Sequence, residues 1–370
     1  MEHMIQALQL AQQAIPWSNP NPRVGCVIVS AQGSIVGRGH TQRRGEAHAE
    51  VMALRDASSR GANLMGSTVY VTLEPCSHHG HTAPCCDALI AAGVAKVIVA
   101  LQDPNPLVAG QGIARLRAAG IQVEMADEAA AQAARDINIG FLQRMQNGLP
   151  WVRLKTASSL DGMTALTDGQ SQWITGEAAR ADVQNWRARA CAILTGVGTI
   201  LHDNPLLNVR QPHVQRQPHL LVLDSQLRTP PNARLFTVPN RHVWIYTGQN
   251  VQDMAAHKRR ADALRAAGAE VHALPAMQNG GLDVRSLLQE LAQREVNELH
   301  VEAGCRLNGS LLAQSHVDEI LAYIAPVLLG PGQTLAALPA LTQLSQAQRW
   351  QMLEAKQLGN DVRLRLRRQP

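Results

Sequence analysis

His48 and Glu50 stand one residue apart in GEAHAEVMAL (45–54), and Cys76 and Cys85 each follow a proline in LEPCSHHGHTAPCC (73–86). One imidazole and two thiolates form a donor set that suits Zn2+ and leaves a fourth position open for water, as a catalytic zinc site requires. Glu50 falls two residues after His48, so on a helix the two side chains point in different directions. That suits a carboxylate working beside a metal without binding it. A closed structural site is the competing reading, because His78, His79 or His81 could supply a fourth ligand. Cys86 adjoins Cys85 but is rotated by about 100° on the same helix, which makes it a packed thiol. Ligand chemistry alone leaves iron or cobalt open as well.

For these side chains to meet, a helix with His48 and a helix with Cys85 must both start at one edge of a sheet. The order strand, helix, strand, EPC, loop, helix does this. The positive end of each helix favours thiolate over thiol, and Pro84 fits a first helical turn. His-x-Glu or Pro-Cys taken singly is common by chance. In this order, with two helix starts, they form the signature of zinc-dependent nucleobase deaminases, in which an activated water attacks an amidine carbon and the glutamate shuttles the proton.

Periodicity supplies the surrounding elements. Met4, Leu8, Ala11 and Ile15 share a helical face ended by Pro16. VGCVIVSAQGSIVGRGH reads as two strands around a turn at Gly33, followed by a helix over 48–58, the strand TVYVTL, a helix from Pro84, the strand KVIVAL, a helix over 110–119 and the strand IQVEM. The alternation predicts an α/β layer with a mostly parallel sheet. RMQNGLP (144–150) marks a boundary, giving domains 1–146 and 147–370. Beyond it WVRLKTA, ACAILTG, HLLVLD, HVWIYTG, AEVHAL, NELHVEAG and EILAYIAPVLLG read as strands, with helices over 176–189, 252–267 and 283–294. TGVGTIL lacks the third glycine of a dinucleotide fingerprint and alone reads as a turn. HVEAGCRLNGSLL reads as a strand ending at Gly304 and leading to a helix near Gly309 and Ser310, where free backbone donors could receive a phosphate. A plain tight turn is the alternative there. DVRLRLRRQP reads as a strand with a solvated basic face.

The chain has 370 residues, more than one core usually serves, so two domains are expected. A hydrophobic fraction of 45% with 17% charged residues fits a soluble globular protein. Residues 1–15 lack the basic end and apolar core of a signal peptide, and the expectation is a cytoplasmic protein. Six cysteines are too few for a disulfide framework. A net charge of +5 suits an anionic partner, while 3% aromatic residues and no basic, aromatic-bearing stripe argue against nucleic acid.

NPNPRVGCVIV, GEAHAEVMAL, VTLEPCSHHGHTAPCCDALI and QDPNPLVAGQGIARLRAAGI together resemble the N-terminal half of the bifunctional riboflavin-biosynthesis deaminase/reductase family. LKTASSLDGMTA, SQWIT, ILTGVGTIL, VEAG and APVLLG resemble its C-terminal half in the same order. The resemblance implies a cytidine-deaminase-like three-layer domain followed by a dihydrofolate-reductase-like domain that binds NADPH. His48, Cys76 and Cys85 match the family's zinc ligands, Glu50 its proton shuttle, Asn21 and His40 its pyrimidine contacts and His78 a phosphate contact. The family usually has Lys or Arg at the position of His81 and Pro at that of Ala83. In the second half Ala157, Trp173, Thr199, Asp203 and the turn from Gly304 to Ser310, including Gly309, match nucleotide positions. Ser171, Arg187, Leu207, Arg210 and Glu302 match positions near the substrate, and Lys155 and Asp161 sit in the K…SLDG strand and turn. Arg187 and Arg210 suit a ribose phosphate. Asn204 and Asn208 depart from the family's DDPxLTVR.

The implied chemistry is hydrolytic deamination of 2,5-diamino-6-(5-phosphoribosylamino)pyrimidin-4(3H)-one, then NADPH-dependent reduction of the ribosyl group. The expected partner is thus a phosphorylated aminopyrimidine, with neither nucleic acid nor membrane, and the chain is expected to be a homo-oligomer. Two alternatives stay open. A zinc-dependent RNA or nucleoside deaminase would leave the second half an accessory domain, and a non-catalytic zinc-stabilised binding protein would make Glu50 dispensable.

Overall fold

β-Branched runs such as GCVIV, TVYV and KVIV are strand formers whose alternate side chains must be covered on both faces. The computed structural model describes residues 2–77, 84–105, 109–211, 214, 216–249, 253–275 and 281–369. They divide into two compact units, Met1–Gly148 and Leu149–Pro370. Among the described residues no helix is long and apolar enough to cross a membrane.

The first unit runs α1 (Glu2–Gln13), β1 (Gly25–Val29), β2 (Ile35–His40), α2 (Ala49–Ser59), β3 (Thr68–Val71), α3 (Cys85–Ala91), β4 (Lys96–Val99), α4 (Gln111–Ala118), β5 (Gln122–Met125), α5 (Glu128–Ile137) and α6 (Ile139–Asn147). Its sheet has the order β2-β1-β3-β4-β5. β3, β4 and β5 pair parallel, while β1 pairs antiparallel with both β2 and β3, so β1 alone runs against the other four strands. The tight turn around Gly33 joins β1 to β2 and so requires that pair to be antiparallel. Cys26, Ile28, Val69, Val71, Val97 and Val99 face Ala53, Leu89 and Leu116 of α2, α3 and α4. Val27, Val29, Tyr70 and Ile98 face α1 and α5. Helices on both faces make the three layers.

The second unit runs β6 (Trp151–Ser158), β7 (Met163–Leu166), α7 (Glu177–Arg189), β8 (Ala192–Gly196), α8 (Val197–Asp203), β9 (His219–Leu223), β10 (Val243–Gly248), α9 (Met254–Ala266), β11 (Ala269–Leu274), α10 (Val284–Gln293), β12 (Glu298–Val301), α11 (Cys305–Ala313), β13 (Glu319–Ile324), β14 (Gly332–Thr334), β15 (Trp350–Leu358) and β16 (Asp361–Arg368). The main sheet, β11-β10-β9-β8-β12-β6-β13-β16-β15, is parallel except at β13/β16 and β16/β15, and β7 pairs with β14 apart from it. Leu154, Leu194, Leu299 and Val301 pack on α10 and α11, while Ile193, Val222 and Ile245 pack on α8 and α9. Two expectations are corrected. TGVGTIL is the end of β8 and the start of α8 rather than a turn. The helix expected near Gly309 starts earlier, at Cys305, with Gly304 as its N-cap.

Candidate active sites

In the first unit α2 lies on β2 at backbone contact. A Cβ at Gly39 would sit 2.2 Å from the Ala49 carbonyl oxygen, so only glycine lets the helix start this close to the sheet. His48 is the N-cap of α2, in extended backbone, and Glu50 lies in the first turn. Cys85 opens α3 behind Pro84. Nδ1 of His48 lies 3.6 Å from Sγ of Cys76 and 3.3 Å from Sγ of Cys85, and the donors of all three lie within 4.8 Å of one another. Tetrahedral ligands at about 2.0–2.3 Å from an ion stand roughly 3.3–3.8 Å apart, so this donor set fits Zn2+. The Cys85 N–H donates to Sγ of Cys76 at 3.4 Å, and the Cys86 N–H to the Cys76 carbonyl at 3.2 Å.

The electrostatics favour a metal and a base. The hydrogen bond from the Cys85 thiol pulls Cys76 down to about 4, with His48 adding to it against the effect of burial. The same sharing, with burial, drives the Cys85 thiol upward. Glu50 is 3% exposed, and burial lifts its carboxyl to about 7, helped by the charge on Cys76 and opposed by His48. A carboxyl in that range takes and returns a proton near neutral pH. Cys86 is a buried thiol beside Asp87, away from the donor cluster. His40 stacks near Trp17 with centroids 5.8 Å apart, and its buried Nε2 has no hydrogen-bond partner among the described residues. Asn21 closes a turn by donating its N–H to Ser18. His78, His79, His81 and Ala83 lie outside the described residues. Glu74, which the motif reading passed over, is a buried carboxylate just before Pro75 and Cys76.

The second unit opens a cleft of about 1060 Å³ at the C-terminal ends of β6, β8, β9 and β12, where open parallel sheets bind their ligands. Lys155 and Ala157 reach it from β6, and Ser171 and Trp173 from the segment after β7. Arg187 comes from α7, Thr199 and Asp203 from α8, and Leu207 and Arg210 from the following loop. Glu302 and Gly304 follow β12. Gly309 and Ser310 do not line it. They lie inside α11, where a Cβ at Gly309 would meet the Ala337 carbonyl oxygen at 2.2 Å and the Ser310 hydroxyl accepts from Gln314. The uncapped donors are instead those of the first turn of α11, after Gly304 and beside Arg306. A helix start with free donors suits a phosphate, and Arg228 and Arg234 are also on the cleft wall.

Arg187, on the cleft wall, is also paired there. Its Nε and Nη2 donate to Glu302 at 2.5 and 2.9 Å, and its Nη1 to the Asn208 carbonyl at 2.9 Å. Burial alone would raise Glu302, but Arg187 holds it well below the usual carboxylate range. Burial lowers the pKa of Lys155. Arg210 anchors its backbone N–H on Gln184, and its guanidinium faces the cleft. Asp161 accepts from the N–H groups of Leu329 and Gly330, tying the turn after β6 to that loop. Asn204 closes α8 with φ 42 and accepts from the Arg234 N–H.

Residues 1–101 match the cytidine and deoxycytidylate deaminase zinc-binding region, and residues 150–364 match the RibD C-terminal domain. A zinc-dependent deaminase is thus joined to a reductase in one chain. The sequence is 44% identical to riboflavin biosynthesis protein RibD of Escherichia coli K12, over 98% of each chain. It is 42% identical to that of Haemophilus influenzae, over 98% of this chain and 95% of the other. Acinetobacter baumannii RibD, form 1, superposes with a TM-score of 0.87 at 40% identity, over 100% of this chain and 98% of that one. A diaminohydroxyphosphoribosylaminopyrimidine deaminase/5-amino-6-(5-phosphoribosylamino)uracil reductase from Thermotoga maritima gives 0.85 at 29% identity, over 100% and 98%. The chain belongs to the RibD family of bifunctional riboflavin-biosynthesis enzymes, zinc-dependent deaminase and NADPH-dependent reductase.

Proposed function

We propose that residues 1–146 deaminate 2,5-diamino-6-(5-phosphoribosylamino)pyrimidin-4(3H)-one and that residues 147–370 reduce the ribosyl group of the product, giving 5-amino-6-(5-phosphoribitylamino)uracil. The observation that carries this reading is the convergence of His48, Cys76 and Cys85 beside the buried carboxyl of Glu50. Zn2+ held by these three ligands supplies the Lewis acidity that makes water nucleophilic near neutral pH. Glu50 takes the water's proton and delivers it to the amino nitrogen, which leaves as ammonia while a carbonyl remains on the ring. His40, whose Nε2 has no partner among the described residues, and Asn21 hold the pyrimidine, and His78 meets the phosphate.

In the reductase NADPH supplies the hydride. Ala157, Trp173, Thr199, Asp203 and Gly304 seat the nucleotide, with its phosphates at the start of α11. Lys155, Ser171, Leu207, Arg210 and Glu302 face the substrate. Arg210 takes its phosphate, while Arg187 keeps Glu302 ionised. The cofactor carries the difficult step, and the chain supplies position and charge. A nucleic-acid deaminase would leave this cleft without a role. The chain works as a cytoplasmic homo-oligomer in this reading, with exposed Leu328, Leu338, Leu341 and Leu344 of the second unit as contact surface.

The test is an assay of purified protein with the diaminopyrimidinone phosphate, following ammonia and NADPH together. Ammonia should appear without NADPH, and NADPH oxidation should begin once deaminated product accumulates. Oxidation that precedes any ammonia would overturn the order of the two steps.

A further inference from the structure

Cys76 and Cys85 belong to different segments, one leaving β3 and one opening α3, yet a single helix touches the chain next to both. Glu74, two residues before Cys76 and 4% exposed, accepts from the N–H groups of Gly110 at 2.9 Å and Ile113 at 3.1 Å, the cap and first turn of α4, and from Asp103 at 3.2 Å. Pro75 rests on Gly112 of α4, where a Cβ would lie 1.9 Å from the Pro75 carbonyl oxygen. Further along α4, Arg115 donates through Nη1 to the Ser77 carbonyl at 3.3 Å and through Nη2 to Asp87 at 2.9 Å. Asp87 lies two residues after Cys85 on α3. The helix that makes these contacts is itself anchored, since Leu116 is fully buried and Ile113 is 7% exposed in the core beneath it.

We propose that α4 is a splint that sets the separation of the two thiolate ligands, with Arg115 as the positioning residue that couples their segments. The inference rests on the zinc-site assignment made above. Segments pinned at Glu74, Pro75, Ser77 and Asp87 stay together, so the ion is recaptured before the site opens. Arg115 and Asp87 are 45% and 34% exposed, and an ion pair so exposed adds little to the stability of the fold. Its contribution is to geometry at the metal.

The test is zinc release from the full-length, zinc-loaded protein to a chromogenic chelator. Arg115→Ala and Asp87→Asn should each speed release about tenfold, the lower end of what losing a partner behind a ligand costs. Arg115→Lys should recover part of the loss, and the double variant should release no faster than the worse single one, because both remove the same contact. The melting temperature and NADPH oxidation with the deaminated substrate should not change. Unchanged release in both single variants, with zinc lost from Cys85→Ser, overturns the splint alone. Zinc retained by Cys85→Ser overturns the ligand assignment and the splint with it.

Discussion

The two sites are built in opposite ways. The deaminase centre draws its metal ligands and base from residues 48 to 85, and among the described residues its carboxyl at Glu50 forms no salt bridge with Lys or Arg; burial lifts it to about 7. The reductase cleft draws on residues 155 to 304, and buried charges in and beneath it are paired. Glu302 is locked to Arg187, and deeper on the same sheet Arg153, fully buried, bridges Glu298 at 2.8 Å and Glu319 at 2.7 Å. A buried group that can be neutral can be replaced by a neutral isostere with little cost to the fold. Removing one partner of a buried pair strands the other. Chemistry and stability are therefore separable in the first unit and entangled in the second.

The sharpest way to break this contrast is Glu50→Gln. The amide keeps the shape and leaves no charge stranded, but it cannot accept the water's proton. Ammonia release should fall by about 10²- to 10⁴-fold, the range for general acid–base catalysis, while zinc content and melting temperature stay at wild-type values. Full activity in the zinc-loaded variant would remove Glu50 from the mechanism.

The same contrast explains what could be read from the sequence. His48, Glu50, Cys76 and Cys85 are local motifs on helix starts, and their spacing was legible before any fold. The position of His48 at the cap of α2 instead of within it was not, because one residue at a helix end leaves no periodic trace. The Arg187–Glu302 pair joins residues 115 apart in sequence. No local pattern records such a partner. The strand pattern ending at Gly304 points to a helix near Gly309 and Ser310 but does not fix where it begins. The helix begins earlier, and Gly309 exists for the backbone at Ala337 that crosses it. Strands β14 and β15 are largely exposed, which removes the apolar alternation that marks a strand.

Glu302→Ala should show the entanglement directly. It should abolish NADPH oxidation and also destabilise the second unit by about 3–5 kcal/mol, because the Arg187 guanidinium is left buried and unpaired. Pairing it with Arg187→Met should restore much of the stability without restoring reduction, as read by denaturant melts beside the assay. A single variant that loses activity at full stability would show that Glu302 is not held as described. Lys155→Ala should lower reduction and leave deamination intact.

The pH profile of deamination sharpens the other half. Glu50 must be ionised to act as base, so kcat/KM falls as pH drops through its pKa. Burial, with the charge on Cys76, lifts that value to about 7. A bound dication beside it favours the carboxylate and lowers the value. The acid limb for the zinc enzyme should therefore lie below 7, and a limb above 7 would mean that another group controls the rate.

The smallest effect belongs to Trp173, which is 69% exposed at the cleft with the Arg180 guanidinium 4.8 Å above its ring. That exposed cation–π contact is worth only about 0.5–1 kcal/mol to the fold, so Trp173→Ala should raise the KM for NADPH while kcat and deamination hold and the melting temperature moves little. In contrast to Glu302, this residue lines the cleft from outside the paired interior, so its loss should separate binding from stability. A variant that melts early would place Trp173 with the paired residues after all.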